Sequence, residues 1–213
     1  MGLEIGNDNA KTTYLSIAGG YIWDKKADSS HPAYKEQEWK DNKGNSNIRK
    51  GAAYKSYSGK ISDVAFSSHE SYGDSLLVTF EDGGEKFVFS VPMNKRNSQD
   101  FLKAILKIDL NKEVKVLPYY FEKDGKTKQG INFYQDNEKV DTFNLELEGF
   151  EFKSGDWFAK AKKSQVTMYF LSLTETLQEN VEEKIKAFKE SSESQEDVEQ
   201  VEDVLDLDDE LGF

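Results

Sequence analysis

The feature that most constrains the fold is a series of short segments between residues 60 and 91 in which apolar and polar side chains alternate. Alternation with a period of two is typical of β-strands that bury one face. It predicts strands over Lys60–Ser67, Ser75–Glu81 and Glu85–Val91. The last two are joined by Asp82-Gly83-Gly84, which indicates a hairpin because glycine readily takes the positive φ of tight turns.

A helix and two more strands follow this meander. Apolar residues recur at helical spacing up to Ile108, with Ser98 as the expected cap and Asp100 placed to favour the helix dipole. Strands are predicted over Glu113–Phe121 and Gly130–Gln135. The order β-β-β-α-β-β is that of the five-stranded OB barrel, an all-β fold whose helix lies between the third and fourth strands. Alternative β-rich folds remain open.

The flanking segments are less regular. The chain before the barrel predicts a strand that begins at Thr12, a break at Gly19-Gly20, and a long polar loop over residues 24–50. After the barrel, Lys139–Phe152 and Ser164–Leu173 predict additional flanking strands. Thr174–Lys189 then predicts a helix, because it carries an apolar stripe at helical spacing. The stripe consists of Leu177, Val181, Ile185 and Phe188.

The net charge of −12 is concentrated at one end of the chain. Residues 190–213 contain 11 Asp and Glu and no Lys or Arg, whereas the rest contains 29 Asp and Glu against 28 Lys and Arg. A segment of this composition cannot bury enough apolar surface to offset the entropy of ordering. It predicts a disordered acidic tail on a nearly neutral body.

The acidic tail carries an apolar tip. One interpretation is that the tail only increases solubility. The interpretation we favour is a docking peptide, in which carboxylates are attracted to a basic patch and apolar side chains insert beside it. The residues assigned to docking are Asp206, Asp208, Asp209, Glu210, Leu211 and Phe213.

Two runs combine basic and aromatic residues, Arg49–Tyr57 and Tyr119–Tyr134. Single-stranded nucleic acid is bound by cations that follow the phosphates and by rings on which bases stack. The alternatives are solvated surface for the basic residues and core packing for about half of the aromatic ones, since strand side chains alternate between faces. Trp39 is added because it lies in a polar segment. The candidate binding residues are Trp39, Arg49, Lys50, Tyr54, Lys55, Tyr57, Tyr120, Lys123, Lys126, Lys128 and Tyr134.

Several other classes of function lack their signatures. The chain has no Cys, which excludes disulfides and suits a reducing compartment, and its two His are too few for a metal or catalytic cluster. No phosphate-binding loop or nucleophile elbow is present, so no enzymatic activity and no cofactor are expected. The carboxylates of Glu146, Glu148 and Glu151 are interpreted as a solvated strand face and not as a metal site. Without a signal peptide or a membrane-spanning run, a cytoplasmic protein is expected.

Taken together, these residues resemble the single-stranded-DNA-binding proteins of tailed bacteriophages, the T7-type proteins in particular, and in general plan their bacterial counterparts. The resemblance rests on the pattern of residues 12–172 and on Asp208-Asp209-Glu210-Leu211-Gly212-Phe213, which matches the acidic run and final aromatic residue of that family. Bacterial members usually have Pro where this chain has Gly212.

The resemblance implies a non-enzymatic protein that coats single-stranded DNA during phage replication, recombination and repair in the infected cell. Its tail would recruit polymerase, helicase or primase. Independently of the resemblance, the stripe Leu177 to Phe188 either packs on the barrel or mediates self-association, which leaves a homo-oligomer open. The expected organisation is an OB-fold domain over residues 1–173, a helix over 174–189 and the tail over 190–213. The alternative is a phage virion or assembly protein that uses a β-rich domain for protein contacts, and a DNA-mimic inhibitor is disfavoured because the acids are concentrated at one end.

Overall fold

The structure of the protein is a computed structural model that describes residues 12–40, 43–71 and 73–205, without the side chains of Lys126 and of residues 192–205. The chain forms two compact units, Met1–Glu146 and Leu147–Phe213, which we call the sheet unit and the helical unit. Among the described residues, no helix combines the length and apolar character needed to cross a membrane.

The described part of the sheet unit contains one sheet and one helix. The helix, α1, is Arg96–Lys107. The sheet has the strand order β10-β9-β8-β5-β6-β7-β1-β2-β4-β3. Its strands are β1 (Thr12–Ala18), β2 (Tyr21–Asp24), β3 (Tyr34–Lys40), β4 (Ser46–Tyr54), β5 (Tyr57–Ser67), β6 (Ser75–Asp82), β7 (Glu85–Pro92), β8 (Glu113–Lys123), β9 (Lys126–Gln135) and β10 (Glu138–Lys139).

The five strands predicted between residues 60 and 135 are confirmed as β5 to β9. Their alternating apolar residues face the core, as Leu76, Val78 and Phe80 of β6 show by being fully buried. A shift in pairing register between Ile61 and Asp63 explains why the buried residues of β5 depart from strict alternation. The prediction of a mostly β protein with a C-terminal helix is therefore confirmed.

These five strands pair in the order β9-β8-β5-β6-β7, and α1 connects β7 to β8. The sheet does not close into the expected five-stranded barrel. Strand β7 pairs in parallel with β1, and the sheet ends at β10 and β3. The additional strands β1 to β4 therefore extend the sheet beyond β7.

Aromatic side chains fill the core between the sheet and α1. The ring of Phe101 on α1 lies 5.7 Å from that of Phe89 on β7 and 5.0 Å from that of Phe133 on β9. Because one helical side chain contacts both strands, α1 spans the region between β7 and β9. Phe89 and Phe101 are fully buried.

The start of α1 differs from the prediction. Lys95 and not Ser98 is the N-cap residue, no side chain caps the helix, and its first turn carries no acidic residue. Ser98 lies one turn inside, where its buried hydroxyl is 2.7 Å from the carbonyl oxygen of Lys95 and 3.0 Å from that of Met93. The serine thus fixes the loop that precedes the helix.

The prediction of a long polar loop over residues 24–50 is wrong, because most of that segment forms the hairpin β3–β4. Strand β3 was missed because Tyr34–Lys40 has mostly polar residues on both of its faces. The segment therefore shows no alternation of apolar and polar residues. This composition is common in edge strands, where charged side chains discourage pairing with other chains.

The helical unit contains α2 (Gly155–Lys160) and α3 (Lys163–Leu205). The strand predicted over Ser164–Leu173 is wrong, since this segment forms the start of α3. Lys139–Phe152 forms no strand beyond the end of β10 and one isolated bridge between Leu147 and Phe150. A run without Gly or Pro from Asp156 to Leu211 favours one continuous helix over the local β propensity.

The apolar stripe predicted for this helix is confirmed at three of its four residues, and the fourth, Phe188, is half-buried. Leu177, Val181 and Ile185 are buried, and Leu173 extends the stripe by one turn. The boundary predicted at residue 190 is not seen, because α3 continues to Leu205. The tip over residues 206–213, which includes all the docking residues proposed above, lies outside the described residues.

Candidate nucleic-acid interface

A groove of about 1060 Å³ lies in the sheet unit where several elements converge. Its walls come from β1, β3 and β4 on one side and from β8 and β9 on the other, and the end of β7 and the start of α1 complete it. We call it the basic groove because of the side chains described next.

Among the residues that the structure describes, six basic residues and a single carboxylate line the basic groove. The carboxylate is Glu38, and the basic residues are Lys25, Lys26, Lys40, Arg49, Lys95 and Arg96. Among the described residues, none of the six forms a salt bridge, whereas Lys50 and Lys112 outside the groove do. The sheet unit as a whole has 21 Lys and Arg against 22 Asp and Glu. Positive charge is therefore concentrated in the groove, which produces a local field despite the acidic net charge.

Arg49 is the most constrained of these cations. Its guanidinium donates a hydrogen bond to Gln37 Oε1 at 3.1 Å and lies 5.4 Å from the ring centre of Trp23 and 5.5 Å from that of Trp39. Partial burial lowers the pKa of Arg49, although an arginine remains protonated at neutral pH. A half-buried cation held by an amide and two indoles, with no carboxylate bridge among the described residues, is well placed to bind an anion.

Three aromatic side chains of the groove are open to solvent. Tyr14 is 52% exposed, Trp39 42% and Tyr120 48%. The Lys26 ammonium lies 5.8 Å from the ring of Tyr14, so two of these rings have a cation beside them. Exposed rings next to cations supply both contacts that a single strand requires, a surface for base stacking and a charge for phosphate.

The glycine turn between β1 and β2 brings the two walls together. Gly19 and Gly20 have φ values of +57° and +78°, as two-residue hairpin turns require. A Cβ on Gly20 would lie 2.9 Å from Cβ of Tyr120, so this turn packs directly on β8. The turn thereby positions Tyr120 opposite the β3–β4 hairpin.

Two of the basic residues stand at the start of α1, with Lys95 at the N-cap and Arg96 in the first turn. The positive end of the helix dipole disfavours cations at this place and favours anions. Both side chains are exposed, so neither contributes to the hydrophobic core. The placement lowers helix stability slightly and increases the positive potential of the groove.

The structure brings three predicted binding residues together in the groove, Trp39, Arg49 and Tyr120. Three others from the first run lie outside its lining. Lys50 forms a 2.8 Å salt bridge with Glu36, and the Tyr54 hydroxyl lies 3.3 Å from His31 Nε2. Lys55 is exposed between β4 and β5.

Tyr57 is placed in the core and not on the surface of the groove. Its ring lies 5.3 Å from Phe80, 5.2 Å from Phe87 and 5.7 Å from Phe89. Its buried hydroxyl oxygen has no hydrogen-bond partner among the described residues. Burial, with a smaller effect of Asp82 and Glu85, raises the pKa of Tyr57 to about 12.

The remaining predicted residues lie on the β8–β9 hairpin. Tyr120 shares a face of β8 with the buried Val116 and Pro118, whereas Phe121 lies on the opposite face and pairs with Lys128 of β9. By the same alternation, the opposite face also carries Lys123 and Tyr134. The side chain of Lys126 lies outside the described residues. The hairpin therefore separates Tyr120 from Lys123, Lys128 and Tyr134.

Sequence reasoning missed most of the groove. The missed residues are Tyr14, Lys25, Lys26, Lys40, Lys95 and Arg96. They belong to four different segments that only the topology brings together. One signal was present in the sequence, since adjacent Lys95 and Arg96 at the start of a helix oppose its dipole and indicate a role other than stability.

Comparison of the chain with protein-family models, with curated proteins and with solved structures gave no match. The chemistry of the groove is therefore inferred from the geometry of its residues alone. That geometry offers cations and stacking surfaces, and no group of three His, Asp or Glu in the described residues is arranged to hold a metal ion.

Proposed function

We propose that this protein binds single-stranded DNA without sequence preference through the basic groove. The observation that carries the proposal is the contrast between six cations with one carboxylate among the described residues of the groove and balanced charge in the sequence of the sheet unit as a whole. The exposed rings of Tyr14, Trp39 and Tyr120 add stacking surfaces that accept any base. The role is one of binding and protection and involves no catalysis.

We further propose that β5 to β9 and α1 are an OB-type unit that is opened between β7 and β9 and extended by β1 to β4. The pairing order β9-β8-β5-β6-β7 and the contacts of Phe101 with both Phe89 and Phe133 support this assignment. In OB folds the loop between the last two strands borders the binding site. Here the corresponding hairpin contributes Tyr120 to the groove.

The biological setting we propose is replication, recombination or repair of phage DNA in the bacterial cytoplasm, in accordance with the family resemblance of the sequence. Residues Asp206–Phe213 would recruit polymerase, helicase or primase. A paired Leu211→Ser and Phe213→Ser variant should keep its affinity for oligo-dT and lose stimulation of a DNA polymerase on primed single strands. Retained stimulation would contradict the role of this segment.

The proposal is tested by fluorescence anisotropy of labelled oligo-dT over a range of salt concentrations. Each cation that contacts a phosphate contributes about −0.7 to the slope of log K against log salt, so contact by all six predicts a slope of about −4. A slope near zero, or the absence of binding at low salt, would contradict the proposal. Absence of binding is the result expected of a virion or assembly protein.

A further inference from the structure

The outer face of the β8–β9 hairpin combines lysines with aromatic rings. One face of this hairpin holds buried residues such as Val116 and Pro118, and the other points away from the core. On this other face, over residues 115–123 and 128–134, the described part of the chain has no Asp or Glu. We call this surface the hairpin face and define it by Lys115, Tyr119, Phe121, Lys123, Lys128 and Tyr134.

The lysines of the hairpin face are open to solvent. Lys115, Lys123 and Lys128 are exposed, and none of them forms a salt bridge with another described residue. Lys139 of β10 lies directly opposite Tyr134 and adds another exposed lysine at one end of the face. The hairpin face is therefore positively charged along its length.

The same face of the sheet has a different charge pattern where it continues onto β5, β6 and β7. There Glu81 lies opposite both Lys60 of β5 and Lys86 of β7, and Lys60 also lies opposite Glu113 at the start of β8. Opposite charges in direct cross-strand positions stabilise a sheet, whereas like charges do not. Sheet stability therefore accounts for the mixed charge on β5 to β7 but not for the uniform charge of the hairpin face.

Two rings of the hairpin face lie side by side. The ring centres of Tyr119 and Phe121 are 5.9 Å apart with planes 34° from parallel, and Phe121 is 49% exposed. Gly130, directly opposite Tyr119, leaves room for the tyrosine ring, since a Cβ there would lie 2.6 Å from its hydroxyl oxygen and 2.9 Å from its Cζ. The Tyr119 ring therefore lies across β9, and the two rings form a surface on which bases can stack.

The hairpin face adjoins the basic groove. Tyr119 and Gly130 line the groove as well as this face. Tyr120 and Phe121 are neighbours in β8, so they place one ring in the groove and the next on the hairpin face. From Lys115 to Lys123 the face is about 26 Å long, because a strand rises about 3.3 Å per residue. A single strand that leaves the groove beside Tyr120 thus reaches a ring and lysines on the other side of the hairpin.

We propose that the hairpin face is a second contact surface for the single strand bound in the basic groove. A strand longer than the groove continues across Tyr119 onto Phe121 and the lysines around it. This inference rests on the proposed function. Lysines alone would suit an acidic protein equally well, whereas exposed rings between lysines favour a ligand that carries both phosphates and bases.

The length of oligo-dT separates the two surfaces. One site of this kind holds about 4–16 nucleotides, so an oligo-dT of about 5 nucleotides fits the groove and one of about 24 extends beyond it. Lys115→Gln with Lys123→Gln and Lys128→Gln should make the salt slope for the long oligo-dT shallower by about 2 and leave that for the short one unchanged. The matched control, Lys60→Gln with Lys86→Gln on the same face of the sheet, should change neither slope.

Three outcomes of this experiment would count against the account. An unchanged slope for the long oligo-dT would overturn the hairpin face as a contact surface and leave binding in the groove intact. An equal loss with both lengths would also overturn it, because the lysines would then act on the groove through their field. If the short oligo-dT did not bind the unsubstituted chain at all, the proposed function would fail, and this inference with it.

Stacking on the hairpin face is tested at Phe121. Phe121→Ala should weaken binding of the long oligo-dT about tenfold and that of the short one less than twofold. Phe121→Trp in a Trp39→Phe chain keeps a ring at this position, and its added emission should be quenched by one equivalent of the long oligo-dT but not of the short one. Equal quenching by the two lengths, or unchanged affinity of Phe121→Ala for the long one, would contradict the proposal.

Discussion

The aromatic residues of the sheet unit form two groups that differ in what surrounds their rings. In the core, Tyr57 and Phe89 contact other aromatic rings, and Phe80 lies 5.3 Å from each of them. In the basic groove, Tyr14 and Trp39 lie beside a lysine and an arginine and are open to solvent. An aromatic ring that packs against other buried rings stabilises the fold, whereas an exposed ring beside a cation offers a surface on which a ligand can stack.

This difference predicts opposite responses to substitution. The largest effect is expected for Phe89→Ala, which removes a fully buried ring and should lower the free energy of unfolding by about 3–5 kcal/mol. Trp39→Ala should lower it by about 1 kcal/mol or less, because the ring is partly exposed. Urea unfolding of both variants measures the difference, and similar losses would remove the distinction between the two groups.

The next effect concerns ligand affinity. Trp39→Ala should weaken binding of oligo-dT by about 1–3 kcal/mol, the usual contribution of one stacked base. Trp39→Phe is the matched control, since it keeps an aromatic face and should retain most of the affinity. If Trp39→Ala binds as tightly as the unsubstituted protein, this ring does not stack on DNA.

The cations at the start of α1 should affect affinity and helix stability in opposite directions. Lys95→Gln with Arg96→Gln should weaken oligo-dT binding about tenfold near 0.1 M salt and make the salt slope shallower by about 1.4. The same change should stabilise α1 by a few tenths of a kcal/mol, because it removes positive charge from the helix N-terminus. Lys112→Gln, at a lysine paired with Asp136 outside the groove, should leave the slope unchanged.

The smallest effect is expected for Tyr57→Phe. Removal of a buried hydroxyl that has no hydrogen-bond partner in the described part of the chain should leave oligo-dT affinity within twofold and change the free energy of unfolding by no more than about 1 kcal/mol. A weaker affinity of tenfold or more would place Tyr57 in the binding site and contradict its assignment to the core.

The pH dependence of stability gives a second test of Tyr57. Its pKa is raised from 10.0 to about 12 in the folded protein, so the neutral side chain is favoured by folding. The resulting contribution to stability is complete below pH 10 and is lost as the pH rises through 12. Tyr57→Phe should therefore lose less stability than the unsubstituted protein over this interval, as measured by urea unfolding, and parallel losses would contradict the shifted pKa.

The sequence predicted those elements whose pattern is local. Strands β5 to β9 alternate apolar and polar residues, because each buries one face, and their turns contain glycine. Strand β3 shows no such period, since neither of its faces is mainly apolar. The first part of α3 was predicted as a strand because Val166, Tyr169 and Phe170 have β propensity, and the continuous helix overrides it.

The site was less predictable than the fold. Trp39 and Arg49 were found because each stands out in its own segment, yet their pairing depends on the register of β3 with β4. Lys25, Lys26 and Tyr14 approach them only through the β1–β2–β4–β3 order of the sheet. Tyr57 was assigned to the surface because basic residues precede it in the sequence, whereas its neighbours in space are phenylalanines. Residues that are adjacent in the sequence show only which residue types a segment contains. The sheet topology determines which cations lie beside which aromatic rings.

The most direct test of the central claim is tryptophan fluorescence during titration with oligo-dT. The chain has three tryptophans, of which Trp23 is buried and Trp157 belongs to the helical unit, in contact with Phe158 and Tyr169. Saturating oligo-dT should quench the emission of a Trp157→Phe variant as strongly as that of the unsubstituted protein. It should quench a Trp39→Phe variant several-fold less. Equal quenching of the two variants, or none in either, would contradict binding of single-stranded DNA in the basic groove.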